Sequence, residues 1–148
     1  RFSQWKQQDY TARLAETPEE LGEFLSYLVN AGVDIFHCSQ RRFWEAEFEG
    51  SDLNLAGWTK KLTGKDTITV GSVSLNSDFL PELGEKSFKA GEIANLDGLT
   101  KRLEQDEFDL VAVGRAIIAN PDWVKQVQSG QFDKLDNFEK KMLMSLVP

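Results

Sequence analysis

Apolar positions along the chain follow two alternating rhythms. Leu21, Phe24, Leu25, Leu28 and Val29 recur at helical spacing and make one apolar face. Thr17-Pro18-Glu19-Glu20 just before them reads as a capping box with proline at the first helical position, and Gly32 after them as a C-terminal cap. Val33 to His37 is then a short β-leaning run, whose place between helices predicts a buried parallel strand. The pattern repeats. Leu53 to Leu62 predicts a helix, with Leu55, Trp58 and Leu62 on one side and Gly64 behind it, and Thr67 to Val70 a second strand ending at Gly71. Leu96 to Glu107 predicts the next helix, carrying Leu96, Leu99 and Leu103, and Leu110 to Val113 a third strand ending at Gly114. Asn120-Pro121-Asp122 starts a helix that runs to about Ser129 and stops at Gly130, by asparagine cap, early proline and an acid in the first turn. Asp136 with Glu139 opens a last short helix by the same logic.

Strands that each lead into a helix define an α/β chain with right-handed parallel crossovers. Two architectures compete: a small doubly wound sheet, and part of a (β/α) barrel. Neither G-x-G-x-x-G nor G-x-x-x-x-G-K-[ST] occurs in the sequence, which removes the usual mark of the nucleotide-binding sheet. Three units do not close an eight-strand barrel, which takes about 250 residues, so a barrel piece leaves open edges that need a partner. Two long irregular stretches, Gln40 to Asp52 and Leu75 to Asn95, follow strand ends, where parallel α/β proteins bind ligands.

Composition narrows the classes. The 148 residues are 41 % hydrophobic and 28 % charged, which excludes a disordered tail and suits one domain, taken as residues 1–148. No apolar run approaches the ~18 residues of a membrane span, and no signal-peptide pattern is present, so no membrane partner and a cytoplasmic address are expected. The net charge of −7 argues against general nucleic-acid binding but leaves room for a local cationic phosphate pocket. A single cysteine, Cys38, and a single histidine, His37, exclude a disulfide framework and multi-cysteine or multi-histidine metal sites. The chain starts at Arg1 rather than methionine and ends after an apolar patch from Met142 to Pro148, which fits a fragment or processed chain.

Candidate chemistry concentrates at Gly71-Ser72 and Gly114-Arg115. Glycine at a strand end lets backbone N–H groups approach a phosphate, a following helix points its positive end the same way, and Arg115 can add a bidentate contact. The same glycines also suit plain tight turns. His37 ends a strand and can serve as acid, base or structural hydrogen-bonder. Cys38 alternates to the opposite face and is expected to be buried as a small apolar group. Phe43, Trp44 and Phe48 either line a planar ligand's pocket or clamp onto the core. Arg41 and Arg42 are either solvated or paired with Glu45, Glu47 or Glu49, and these acids with Asp52 are not spaced like a calcium loop.

In order along the chain, Arg1-Phe2-Ser3-Gln4-Trp5, Gly32 to Ser39, Arg41 to Glu45, Ile68-Thr69-Val70-Gly71-Ser72-Val73, Phe108 to Arg115 and Asn120-Pro121-Asp122-Trp123 resemble the C-terminal part of the old yellow enzyme family. These are flavin mononucleotide (FMN) dependent NADH:flavin oxidoreductases. The resemblance spans nearly the whole chain and implies the C-terminal part of a (β/α)8 TIM barrel. Arg1 would lie at the end of the fifth strand, and the three predicted strands would be the sixth to eighth. It implies that Arg1 meets the flavin ring near N1 and O2, that Gly71 and Ser72 contact the phosphate after the seventh strand, and that Gly114 and Arg115 do so after the eighth. Phe43 and Trp44 would shape the active-site mouth, and Phe138 would approach the substrate side. No catalytic residue and no metal ligand of this chain follows from it. The family's flavin-tuning residue, its carbonyl-binding His/His or His/Asn pair and its proton-donating tyrosine come from the first four strands. The implied parent takes hydride from NAD(P)H onto FMN and passes it to an activated alkene. The isolated chain is expected to be inactive and to need the missing N-terminal half of the barrel or to self-associate. The alternatives are a non-catalytic phosphate- or nucleotide-binding α/β module and an inert self-associating fragment.

Overall fold

The signals before Leu21 act as read. In the computed structural model, which describes residues 1–6, 9–75 and 95–144, helix α1 (Pro18–Asn30) is capped by the Thr17 hydroxyl, which accepts from the Glu20 N–H at 3.2 Å. The return arm of the box lands one residue early, the Glu20 carboxylate accepting from the Glu16 N–H at 2.7 Å. Leu21 and Leu25 are fully buried. Ala31 closes the helix, and Gly32 turns the chain away at φ 93°.

Four strands form one parallel sheet in the order β1 (Phe2–Ser3), β4 (Ile35–Ser39), β5 (Asp66–Val70), β6 (Leu110–Val111). A separate antiparallel pair joins β2 (Trp5–Lys6) to β3 (Asp9–Arg13). The sequence pattern anticipates β4, β5 and β6 but neither β1 nor the β2–β3 pair. Strand β4 runs from Ile35 to Ser39 rather than from Val33 to His37. Strand β6 stops at Val111 rather than Val113. Its neighbour β5 ends at Val70, and only the Ala112 N–H still reaches back, to the Thr69 carbonyl at 2.9 Å.

Helix α2 (Leu55–Thr63) is capped by the Asn54 side chain on the Gly57 N–H at 2.9 Å and closed by Gly64 at φ 65°. Helix α3 (Asn95–Glu104) ends three residues before the expected Glu107. Asp106 takes φ 59°, and the Glu107 carboxylate turns back to accept from the Asn54 N–H and from Arg102. Helices α4 (Arg115–Ala119) and α5 (Trp123–Gln128) follow. Asn120 does not cap α5 as expected. It closes α4, donating to the Ala116 carbonyl at 3.0 Å, and its side chain also donates to the Asp136 carbonyl at 2.9 Å and accepts from the Asp136 N–H at 2.7 Å. That engagement fixes the Asp136 backbone, and the expected helix from Asp136 is replaced by 3₁₀ turns at Phe132–Lys134 and Lys140–Met144.

The chain divides into two compact units, residues 1–71 with 98–112, and residues 72–97 with 113–148. The sheet and α2 belong to the first. Expectations for the stretch after Leu75 and for the last residues of the apolar patch fall on 76–94 and 145–148, outside the described residues. Among the described residues, no helix is long and apolar enough to cross a membrane.

The two faces of the sheet differ. Register pairs Phe36 with Thr67 and Cys38 with both Thr69 and Phe2, so these share one face. Helices α1 and α2 cover it: Phe2 packs against Phe24 of α1 and edge-on against Phe36, each at 6.1 Å between ring centres, and the Cys38 thiol lies 3.5 Å from Thr59 Oγ1 of α2. The opposite face carries Ile35, His37 and Ser39 from β4, Ile68 and Val70 from β5, and Leu110 from β6. None of these is buried; Ile35 is 48 % and Leu110 53 % exposed.

Candidate functional site

Arg1 stands immediately before β1, and its Nε donates to Ser39 Oγ at the end of β4, 2.9 Å away. Gly71 follows β5. An ideal Cβ built there would lie 2.8 Å from the Gln40 carbonyl oxygen and 3.1 Å from backbone atoms of Arg42 and Phe43, so the missing side chain is what lets the 40–43 segment pass. The Gly71 carbonyl accepts from the Phe43 N–H at 3.1 Å and ties the segment down. The tight-turn alternative thus has a concrete cause at Gly71.

Ser72 takes the left-handed conformation at φ 50°, and its carbonyl accepts from the Leu75 N–H at 3.0 Å. Gly114 precedes α4 and its carbonyl accepts from the Ile117 N–H at 3.0 Å. A Cβ on Gly114 would meet nothing within 4 Å among the described residues. Arg115, half-buried, is the first residue of α4. Arg1 and Gly71 belong to the first unit, and Ser72, Gly114 and Arg115 to the second. Phe138 is buried at 4 % exposure.

His37 and Cys38 point to opposite faces, as strand alternation requires. Cys38 is fully buried, and burial pushes its thiol up to about 12, which leaves it inert as a nucleophile at neutral pH. His37 sits on the open face. Burial, and after it the nearby charge of Arg1, hold its imidazole below the ordinary value of 6.5. The imidazole is therefore neutral at pH 7 and able both to donate and to accept a hydrogen bond.

The segment after β4 is held on three sides. The Gln40 N–H donates to the Val70 carbonyl at 3.2 Å, and its side-chain oxygen accepts from the Leu55 N–H at 3.0 Å. The Asn54 side chain donates to the Phe43 carbonyl at 2.8 Å. Phe43 is 1 % exposed and edge-on to Trp44 at 5.0 Å; Phe48 is buried and edge-on to Trp58 at 5.5 Å. Phe43 and Phe48 are thus core clamps, and Trp44, 37 % exposed, is the member of the set that faces outward. Arg42 pairs with Glu45.

Glu47 pairs with Arg13 at 3.0 Å, and Arg13 also donates to the Glu47 carbonyl at 2.7 Å. Burial raises the Glu47 carboxyl, with Arg13 pulling against it. The Arg13 guanidinium lies 4.4 Å from the centre of the Trp5 ring and 5.4 Å from that of Phe48. Beside this stack, Trp5, Gln40, Arg41, Arg42, Glu45 and Glu47 line a half-open cleft of about 120 Å³. Neither Arg13 nor the cleft was visible in the sequence. The Arg13–Glu47 pair spans 34 residues and obeys no local spacing.

Among the described residues, no group of three or more His, Cys, Asp or Glu side chains could hold a metal ion. No protein-family model matches the chain.

Proposed function

We propose that this chain is the C-terminal part of a (β/α)8 barrel from an FMN-dependent NAD(P)H oxidoreductase of the old yellow enzyme type, with β1, β4, β5 and β6 as its fifth to eighth strands. The observation that carries the reading is the sheet. Its four strands are parallel and stand in sequence order without the reversal of a doubly wound fold. Helices α1 and α2 cover one face, while the other keeps apolar and polar side chains unburied, as a barrel's inner face would before closure.

The residues assigned to FMN suit it chemically. Arg1 and Arg115 bring guanidinium groups, Ser72 offers a hydroxyl and a backbone N–H, and Gly71 and Gly114 offer backbone. Among the described residues nothing lies within 4 Å of the Cβ side of Gly114, which suits a phosphate; Gly71, its Cβ side filled by the 40–43 segment, can contribute only its backbone. FMN, when bound, supplies two-electron hydride chemistry. Arg1, braced by Ser39, would place a cation where the reduced ring carries negative charge. Ser72, Gly114 and Arg115 would hold the phosphate. Groups that activate the alkene and deliver its proton lie outside this chain, so its share is cofactor binding.

The test is a titration with FMN, followed by flavin fluorescence, with riboflavin as the phosphate-free control. Saturable FMN binding with riboflavin much weaker is expected, and Arg115→Ala weakens FMN by about 1–3 kcal/mol, the worth of a charged hydrogen bond. FMN binding no tighter than riboflavin overturns the phosphate assignment. FMN and AMP binding equally would favour a phosphate-binding α/β module without flavin selectivity.

A further inference from the structure

We propose that Ser39 is a positioning residue: its hydroxyl takes the Arg1 Nε–H and thereby holds the terminal N–H groups of that guanidinium ready for the N1–O2 edge of a reduced flavin. The inference rests on the flavin reading and adds to it the residue that aims the cation.

Strand register brings the pair together. β1 and β4 run parallel with Phe2 opposite Cys38, and both of these side chains lie on the covered face. Arg1, one residue before Phe2, and Ser39, one residue after Cys38, therefore share the open face with His37. The Arg1 Nε stands 2.9 Å from Ser39 Oγ. Alternation places Ser3 on that face too, but its hydroxyl turns to the Trp5 carbonyl at 2.9 Å, and Ser39 is left as the brace.

The kind of brace decides what Arg1 can do. Arg13, Arg42 and Arg102 each pair with a glutamate, so their charge is neutralised within the fold. Arg1 is held instead by an uncharged hydroxyl, and its charge reaches His37, whose imidazole is neutral at pH 7. Among the described residues no carboxylate pairs with Arg1 and no second group takes a hydrogen bond from it. A guanidinium carries five N–H groups; the bond at Nε uses one and leaves four on the terminal nitrogens. A receptor for negative charge that develops on reduction needs this combination, orientation without loss of charge. The bond to Ser39 also restricts a long side chain beforehand, so less rotamer freedom is lost when the ring arrives. Every residue used here belongs to the first unit.

The test compares Ser39→Ala and Ser39→Thr with the parent chain in two measurements. The first needs no flavin. Arg1→Lys removes, and so assigns, the Arg1 Nε–H signal of the ¹⁵N-labelled chain, and its exchange with water is then followed. Exchange is expected to quicken by about tenfold in Ser39→Ala and to stay near the parent in Ser39→Thr, which keeps the hydroxyl. The four indole N–H signals report that each variant remains folded. The second measurement titrates oxidised FMN and, anaerobically, reduced FMN. Ser39→Ala should leave oxidised FMN within about twofold and weaken reduced FMN by about three- to tenfold. That change makes the bound flavin's potential about 15–30 mV more negative, at 29.6 mV per tenfold for two electrons. Ser39→Thr should restore most of it. Unchanged Nε–H exchange in Ser39→Ala overturns the proposal, and so does an unchanged preference for reduced FMN in a chain that binds FMN; the flavin reading survives both. A parent chain that binds neither form of FMN overturns that reading and this inference with it.

Discussion

The two faces of the parallel sheet are built from the same strands yet carry different work. On the covered face, Phe36 is 3 % exposed, and Cys38, Thr67 and Thr69 are fully buried. Their neighbours are aromatic rings and helix side chains, so each atom removed leaves a void that packed surroundings fill poorly. On the other face, one residue along, Ile35 is 48 % exposed, and His37 and Ser39 lie half-open beside Arg1. Parallel sheets normally bury both faces. The contrast teaches that alternation along β4 separates residues that hold the fold from residues free to meet something else. A protein that gave up both faces to its own core would show no such asymmetry.

The largest expected effect tests that separation directly. Phe36→Ala should destabilise the fold by about 3–4 kcal/mol, since it removes a buried ring that packs on Phe2. Ile35→Ala, its immediate neighbour, should cost about 0.5 kcal/mol, the scale of a surface change. Urea unfolding of both variants, with the slope unchanged, measures the difference. Equal costs would mean that the face of Ile35 is covered in solution, and the asymmetry would then be lost.

A second contrast sets two strand-end glycines apart. Gly71→Ala forces a methyl group to within 2.8 Å of the Gln40 carbonyl oxygen, and backbone cannot swing aside as a side chain can. A cost of about 1–3 kcal/mol is expected. Gly114→Ala meets none of the described residues within 4 Å and should cost about 1 kcal/mol or less, the price of alanine at a helix N-terminus. Under the flavin reading the order reverses for ligand: Gly114→Ala weakens FMN more than it weakens the fold. Thermal unfolding with and without FMN separates the two. A Gly71→Ala variant as stable as the parent would show that the 40–43 segment does not pack there in solution.

Periodicity and capping residues made the α1–β4–α2–β5 alternation legible, because both are local signals whose cause lies within a few residues. Thr17, Asn54 and Gly64 act through hydrogen bonds and backbone angles that the sequence spells out nearby. Strand β1 escaped because two residues carry no period, and the β2–β3 pair because its register shifts between Trp5 and Lys6. Asn120 looked like a cap and instead tied α4 to Asp136, a contact sixteen residues away that no spacing rule anticipates. The same holds for the site. Gly71 and Gly114 stood out equally as glycines at strand ends, and only the space around each tells them apart. The aromatic run at Phe43, Trp44 and Phe48 drew attention to the right segment, yet the ring that lines the cleft is Trp5, brought there by Arg13 and Glu47 from distant positions.

The smallest effect reads the open face without perturbing the core. His37 is the chain's one histidine, so its ring C–H signals titrate alone in a proton NMR spectrum. They should titrate below 6.5, with burial as the main cause and the charge of Arg1 second. The sign follows from proton counts. A folded value below the unfolded one means that the native state binds fewer protons near neutrality and below. The associated stability is therefore present above the unfolded value and fades as pH falls through the folded one. Its size is small because the ring is half-open. Arg1→Gln should raise the value part of the way and leave the burial contribution in place. No change on that substitution would mean that the guanidinium does not stand over the face beside Ser39 in solution. A return to the ordinary value would mean that charge, not burial, dominates, and that the face is wetter than the packing indicates. The intermediate outcome is the one the geometry requires. A cation set beside a neutral imidazole on an unburied sheet face can donate toward an electron-rich ligand while the histidine remains free to accept a proton.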